Sequence, residues 1–436
     1  MLNLLLAVAV APQVAFDLQS ALASAVDLAE PADRAKAARE LASRKDVTLD
    51  QWLQAAGAFQ PIPMEWEPGR QRVEVPLEVQ GSEESTELWL YFPKDYRHDV
   101  AAPLIVALHG AGGRGADILQ HWMGVADATG AAILAPSEAG PNQGSTGKPR
   151  ERRSVLEAIR WTRRRVNVDE NRIWLTGYSR GGNLCWNLAL RFPGIFAAAA
   201  PQAGGPRINP VAGTNNMRFL DNLTDTPLRA MVGSEELPGL QRSLKMFIER
   251  AAARDIESLD LVTIPGRGHL FDPTTGRGWP EWFESKAREP WPKTVVRQAA
   301  RKDETSNSWI TIESFHRDVK EEPRLVLRTK PGDPPLDERT KWIKVLDLME
   351  ESTARVKAEF LGEGRFRLTS ERATTASLLL QRGWTDAKGK IRVEQGTKSR
   401  TYAAKPSAKV LLEVFVERFD RTFLPVARAK VRLEKR

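Results

Sequence analysis

Ser179 stands in Gly177-Tyr178-Ser179-Arg180-Gly181-Gly182, directly after the short apolar run 173–176. Beyond it Leu184, Cys185, Leu188 and Ala189 recur at helical spacing. A serine among small residues, on a sharp turn from a buried strand into a helix, is the setting of a nucleophile elbow. The turn forces the serine into a strained backbone conformation, and a side chain at Gly177 or Gly181 would meet neighbouring chain. The hydroxyl is thereby exposed. The Arg180 N–H falls in the first turn of a helix, where free N–H groups and the helix dipole favour a developing oxyanion. Taken alone, the pentapeptide also fits a glycine-rich turn with an incidental serine, so its context has to decide.

Three further stretches follow runs that read as strands. His109-Gly110-Ala111-Gly112-Gly113 comes after the apolar run 104–108, and its small residues let backbone N–H groups approach a substrate oxygen. Ala111 and Gly112 are the candidate donors, paired with Arg180 in an oxyanion hole. His109, Gly110, Gly113 and Tyr178 are assigned to the loop around the substrate, His109 as a hydrogen-bonding brace rather than a proton carrier. Gly233-Ser234-Glu235-Glu236 follows the run 228–232, and a carboxylate there can fix the tautomer of a histidine. Glu236 is preferred and Glu235 is the alternative; an acidic pair at a helix N-terminus is the competing reading. Gly266-Arg267-Gly268-His269 follows the run 259–264. Of the five histidines, only His269 lies on a glycine-flanked loop after a strand downstream of Ser179, where a general base could reach the hydroxyl. His98, His121 and His316 carry no such pattern. Ser179, Glu236 and His269 together describe a serine hydrolase, in the chain order of an α/β-hydrolase.

The elements that must hold these groups alternate. Strands are expected at 104–108, 131–135, 173–176, 196–200, 228–232 and 259–264, with a turn at 168–172 leading into the elbow strand. Helices are expected at 117–129, 154–166 and 240–254. Residues 72–80 and 87–92 alternate apolar and polar positions, as antiparallel strands at a sheet edge do. The fold class is therefore α/β, with a mainly parallel doubly wound sheet covered on both faces. Upstream, residues 17–68 form a helical region broken at Pro31, in which Thr48 and Gln51 have the spacing of a capping box. The catalytic domain is placed at 69–292. Residues 293–436 read as a second, smaller β-rich domain, with strands at 309–313, 325–328, 356–360, 366–369, 378–380, 391–393 and 431–433 and helices at 336–348 and 409–419. The loops 138–148 and 204–216 are expected to overhang the site.

Composition narrows the partners. Of 64 Lys+Arg and 56 Asp+Glu, residues 293–436 hold 32 and 21, a net of +11, which leaves −3 upstream. This basic region reads first as a solvated surface, with binding of an anionic glycan or surface as the alternative. Its cations are interspersed with acids and no nucleic-acid motif is present, so nucleic acid is not an expected partner. Cys185 is the single cysteine, which excludes an intrachain disulfide, and its place on the inner side of the elbow helix reads as core. No HExxH, CxxC or phosphate-binding GxxxxGK[ST] pattern occurs, so neither a metal nor any other cofactor is expected. Residues 2–10 are apolar but far short of the ~20 that span a bilayer. The segment 1–16 reads as an export signal, although no Lys or Arg precedes its apolar core and Pro12 follows the small-residue site at Ala9 and Ala11. The expectation is export, with cytoplasmic residence as the alternative.

GYSRGG, HGAGG, the approach VDENRIWLTG and GRGHLF together resemble the α/β-hydrolase-fold esterases of the polyhydroxybutyrate-depolymerase and feruloyl-esterase-like group. The resemblance covers about residues 70–290. It implies cofactor-free ester hydrolysis through an acyl-serine, on a small or polymer-linked ester, with Ser179 as nucleophile, His269 as base and Glu236 at the position of the acid. Members more often carry Asp there. Two other readings compete: a serine peptidase of the prolyl-oligopeptidase-like kind, and a silent protein whose basic region binds an anionic glycan or surface.

Overall fold

The structure, a computed structural model, describes residues 17–62, 64, 66–79, 82–137, 149–208, 215–269, 278–327 and 334–434. The expected signal segment, the loop 138–148 and the middle of the loop 204–216 lie outside the described residues. Among the described residues no helix is long and apolar enough to cross a membrane.

The main sheet has eight strands: β1 (Gly69–Val79), β2 (Ser82–Phe92), β3 (Ala102–Leu108), β4 (Ala132–Pro136), β5 (Val168–Tyr178), β6 (Ala198–Gln202), β7 (Leu228–Gly233) and β8 (Leu259–Ile264). Their spatial order is β1-β2-β4-β3-β5-β6-β7-β8. β1 and β2 are the expected antiparallel edge pair, and from β4 to β8 every pairing is parallel. The eight helices up to this region are α1 (Leu18–Val26), α2 (Pro31–Ala42), α3 (Leu49–Gly57), α4 (Gly115–Thr129), α5 (Pro149–Arg165), α6 (Arg180–Arg191), α7 (Pro238–Ala252) and α8 (Trp279–Glu284). Strand periodicity sorts β3 onto two faces. Leu104, Val106 and Leu108 meet Val155 of α5, Leu188 of α6 and Phe247 of α7, whereas Ile105 and Ala107 meet Trp122 of α4 and Phe283 of α8. The expected turn at 168–172 is instead the start of β5, whose Val168 already pairs with Ala102. The polar run Asp169-Glu170-Asn171 hid that extension from a reading based on apolar periodicity.

Downstream the chain adds β9 (Thr294–Ala299), β10 (Ser306–Asn307), β11 (Ile310–Phe315), α9 (Glu338–Glu351), β12 (Ala354–Gly362), β13 (Arg365–Glu371), β14 (Ala373–Leu380), β15 (Lys390–Gln395), β16 (Lys398–Ala403), α10 (Ala408–Arg418) and β17 (Ala427–Arg432). They form two sheets, β16-β15-β13-β12-β9 and β10-β11-β14-β17. β9 carries Arg297 and Gln298 in buried positions, so its sequence does not read as an apolar strand. Conversely, residues 325–327 form no strand: Leu325 and Leu327 pack on the core from irregular chain.

The downstream sheets share their core with the main sheet. One apolar cluster runs from Leu104 and Leu175 through Leu188 and Phe247 to Trp309, Val356, Phe366 and Leu378. The two ends of the chain also meet, because Leu22, Trp52 and Phe59 of the helical region pack on Leu411, Phe415 and Phe419 at α10. The last carbonyls of α10 accept hydrogen bonds from α5, with Arg160 on Val416 O at 3.2 Å and Arg163 on Arg418 O at 3.3 Å. Cations at a helix C-terminus satisfy orphan carbonyls and oppose the helix dipole.

A buried carboxylate stitches the same joint. Glu304, just after β9, accepts from Arg152 of α5 and Arg191 of α6, and all three side chains are at most 2 % exposed. Burial alone would raise the Glu304 pKa, but the charges of Arg191 and Arg152 outweigh it and hold the carboxyl below its ordinary value. Removing this carboxylate leaves two arginines buried without their counter-ion. Glu304→Gln is therefore expected to cost about 3–5 kcal/mol of stability, seen as a lower urea midpoint with an unchanged m value.

Candidate active site

The main sheet reverses its direction of growth between β3 and β5, since the chain passes from β3 outward to β4 and returns to β5. In an open parallel sheet the carboxyl ends at such a switch point frame a crevice. His109 follows β3, and Ser179 follows β5. Ser179 has φ 55° and ψ −113°, a conformation that an L residue adopts only when its surroundings impose it. The imposition is visible in two glycines. A Cβ on Gly177 would stand 2.4 Å from the Gly181 carbonyl oxygen, and one on Gly181 would stand 2.1 Å from the Leu108 carbonyl oxygen. The elbow therefore folds flat against the end of β3, and its backbone is pinned from the other side by Ser179 N donating to Gln202 O of β6 at 2.9 Å.

His269 and Glu236 arrive from the next strands. His269 Nε2 lies 2.7 Å from Ser179 Oγ, and its Nδ1 lies 2.9 Å and 3.1 Å from the two carboxylate oxygens of Glu236. The carboxylate of Glu236 is fully buried, whereas the imidazole is 42 % exposed. With an ionised carboxylate as acceptor, Nδ1 carries the hydrogen and Nε2 presents its lone pair to the hydroxyl. Glu235 points elsewhere: its side chain is exposed, and its N–H donates to Arg267 O at 2.8 Å. Further bonds join the two loops, Ser234 N to Ile264 O at 2.9 Å and Gly266 N to Ser234 Oγ at 2.8 Å. The structure thus brings Glu236, not the alternative Glu235, to the histidine.

The 109–113 loop closes the other side. Gly113 N donates to Gly110 O at 3.2 Å, a turn whose closing bond uses neither the Ala111 nor the Gly112 N–H. A Cβ on Gly110 would stand 3.7 Å from Cβ of Ser179, so the loop lies beside the nucleophile. His109 is buried, its Nδ1 is 2.8 Å from Gly110 O, and burial, with the Arg180 charge adding to it, pushes its pKa down. It is a neutral brace. The Arg180 side chain is buried too, which lowers its own pKa. Its backbone N–H opens α6, where the first-turn donors have no intrahelical acceptor. Tyr178 holds its ring tilted at 43° against His269 with 5.3 Å between centroids, and burial together with the Glu236 charge raises its phenol pKa.

The sequence singled out the loop 204–216 as an overhang of the site but not the tie of its first residues to α6. Gly204 O accepts from Trp186 Nε1 at 3.1 Å, and Gly205 N donates to Asn183 Oδ1 at 3.0 Å, so this segment is bound to α6 and fixes the strand end that holds the elbow. The small-residue run Ala203-Gly204-Gly205 was its available signal. Cys185 is buried in the core, with its thiol pKa raised by burial.

A sequence profile described as the alpha/beta hydrolase fold matches residues 103–344, more than half of the chain. The chain belongs to the alpha/beta hydrolase fold family. This hydrolase is similar to several solved structures. A thermostable esterase is 24 % identical over 50 % of this chain, with a TM-score of 0.42, and the match spans 63 % of the esterase's length. The poly(3-hydroxybutyrate) depolymerase of Bordetella parapertussis is 20 % identical, over 51 % of this chain and 92 % of its own, with a TM-score of 0.42. A ferulic acid esterase is 14 % identical, over 50 % and 96 %, with a TM-score of 0.38. No curated protein matches the hydrolase in sequence.

Because one glutamate is buried on the imidazole and its neighbour faces water, their amides should behave differently. Glu236→Gln is expected to lower kcat by roughly 10²–10⁴-fold, as loss of the tautomer-fixing carboxylate does. Glu235→Gln should stay within about threefold of wild type. Steady-state kinetics on one activated ester checks both.

Proposed function

We propose that this hydrolase cleaves carboxylic esters through an acyl-serine intermediate. The observation that carries the reading is the 2.7 Å contact of His269 Nε2 with the hydroxyl of a serine held at positive φ, backed by the buried carboxylate of Glu236. Ser179 Oγ attacks the ester carbonyl carbon while its proton passes to His269 Nε2. The carbonyl oxygen becomes an oxyanion between the Arg180 N–H and an N–H of the Ala111-Gly112 turn. When the tetrahedral centre collapses, the C–O bond to the alcohol breaks and His269 returns the proton to the leaving oxygen. Water then attacks the acyl-serine and gives a proton to His269, the bond from the acyl carbon to Ser179 Oγ breaks, and His269 returns the proton to Oγ, releasing the acid and free Ser179. Glu236 stays ionised throughout and stabilises the imidazolium formed twice in each cycle.

The motifs HGAGG, GYSRGG and GRGHLF support a finer reading. On this reading the substrate is an ester of a small or aromatic acid, polysaccharide-linked and polyester substrates included, and the apolar segment at residues 2–10 supports an enzyme working outside the cytoplasm.

A fluorophosphonate probe should label the wild type and leave Ser179→Ala unlabelled, and p-nitrophenyl acetate turnover should disappear with it. Peptide amides offered in the same assay should give no turnover. A well-folded wild type that neither reacts with the probe nor cleaves the acetate would sink the acyl-serine mechanism.

A further inference from the structure

A cavity of about 580 Å³ opens between α7 and α9, lined by Ile208, Met217, Met246 and Trp342 with Gly239 and Ser243 along its α7 side. We propose that it receives the apolar tail of the substrate, so that the downstream region supplies one wall of the substrate-binding site. The inference rests on the reading of the protein as an ester hydrolase.

Position is the first argument. α7 begins two residues after Glu236, and Gly239, which lines the cavity, lies in its first turn. The segment after β6 ties this turn to the elbow. A Cβ on Gly204 would stand 2.5 Å from the Gly182 carbonyl carbon in the first turn of α6, and one on Gly205 would stand 2.4 Å from Leu240 Cδ1 in the first turn of α7. Two adjacent residues therefore touch both helix starts, and the same segment continues to Ile208 in the cavity lining. α6 and α7 pack directly, with Trp186 and Phe247 edge to face at 5.2 Å. Gly239 is three residues along the chain from Glu236, which bounds the separation of their Cα atoms at about 11 Å. Leu237, 68 % exposed, is an apolar residue immediately after the glutamate bonded to His269.

Chemistry is the second argument. The lining pairs an apolar floor with equal numbers of cations and anions. Four of those six charges pair across the mouth, Arg242 of α7 with Glu338 of α9 and Arg339 of α9 with Glu249 of α7, while Asp337 accepts from Thr340 N at the start of α9. A charged tail would have to displace one of these pairs, whereas an uncharged alkyl or aryl tail meets methionines and the Trp342 indole. The volume falls in the 300–1,000 Å³ range of small-molecule pockets. Both mouth pairs are well exposed, so each holds the opening weakly. Farther along, Arg250 of α7 and Arg254 just past its end converge on the largely buried Glu350, which fixes α9 against α7 at that end.

The test compares esters of different tail length on the whole protein. One arm runs p-nitrophenyl acetate to octanoate, and the other runs methyl to octyl acetate, so that a tail from the acid is separated from a tail of the alcohol. In the arm whose tail enters the cavity, wild-type kcat/KM should rise at least tenfold from shortest to longest, since each buried methylene strengthens binding. Trp342→Ala removes a wall and should cut that long-to-short ratio by about tenfold. Gly239→Phe approaches from the opposite wall. A Cβ on Gly239 meets nothing within 4 Å, so a larger side chain has open space there at the cavity wall, and loss of a helical glycine favours the fold. It should abolish the length preference. Equal kcat/KM along both arms in wild type, or a length preference that survives Gly239→Phe in a folded, acetate-active protein, overturns the inference alone. Absence of acetate turnover by the wild type would instead overturn the ester-hydrolase reading beneath it.

Discussion

The positive φ of Ser179 is the constraint on which the site depends. A serine left to itself would relax out of that conformation at a gain of roughly 1–3 kcal/mol. It is held because Gly177 and Gly181 let the elbow lie against the backbone of β3, and because Gln202 O takes its N–H from the other flank. The strain therefore rests on three neighbouring parallel strands at once. Any rearrangement that relieved it would have to break the sheet at its switch point, where a crevice already exists for topological reasons. The same close approach puts the 109–113 loop beside the hydroxyl, so one backbone contact sets both the nucleophile and the turn facing it.

The remaining groups are positioned by strands rather than by free loops. Glu236 stands three residues past the end of β7 and His269 five past the end of β8, and hydrogen bonds between their two loops hold the separation. The Glu236 carboxylate is fully buried and bonded to an imidazole that stays partly exposed. Burial lowers the pKa values of His109 and Arg180 as well, and His109 Nδ1 lies 2.8 Å from Gly110 O within the loop.

The downstream region is part of the same physical body as the main sheet. It shares one apolar cluster with it, inserts Glu304 between two arginines of α5 and α6, and receives two more arginines of α5 on the end of α10. Some of its positive charge is turned inward: Arg297 is buried and Arg418 partly so, and burial pushes their pKa values down to about 9 and about 10. Its helix α9 lies alongside α7, which begins two residues after Glu236.

The sequence alone determined the parts that obey short-range rules. Strict alternation located the edge strands, a small-residue turn between a strand and a helix located Ser179, and a capping box at Thr48 and Gln51 started α3 where it was expected. Chain order placed the histidine and the acidic pair at strand ends. It left Glu235 and Glu236 open, because neighbouring residues on a loop differ only in where the backbone aims them. It missed β9 and the start of β5, whose polar side chains break the apolar pattern; Gln298, Glu170 and Asn171 find their partners far away in the chain. It also read the short apolar run at 325–328 as a strand, where the described residues 325–327 form none. The union of residues 293–434 with the main sheet was decided only in three dimensions. Buried ion pairs and shared cores join residues more than a hundred positions apart, and no local pattern records which distant surface will cover them.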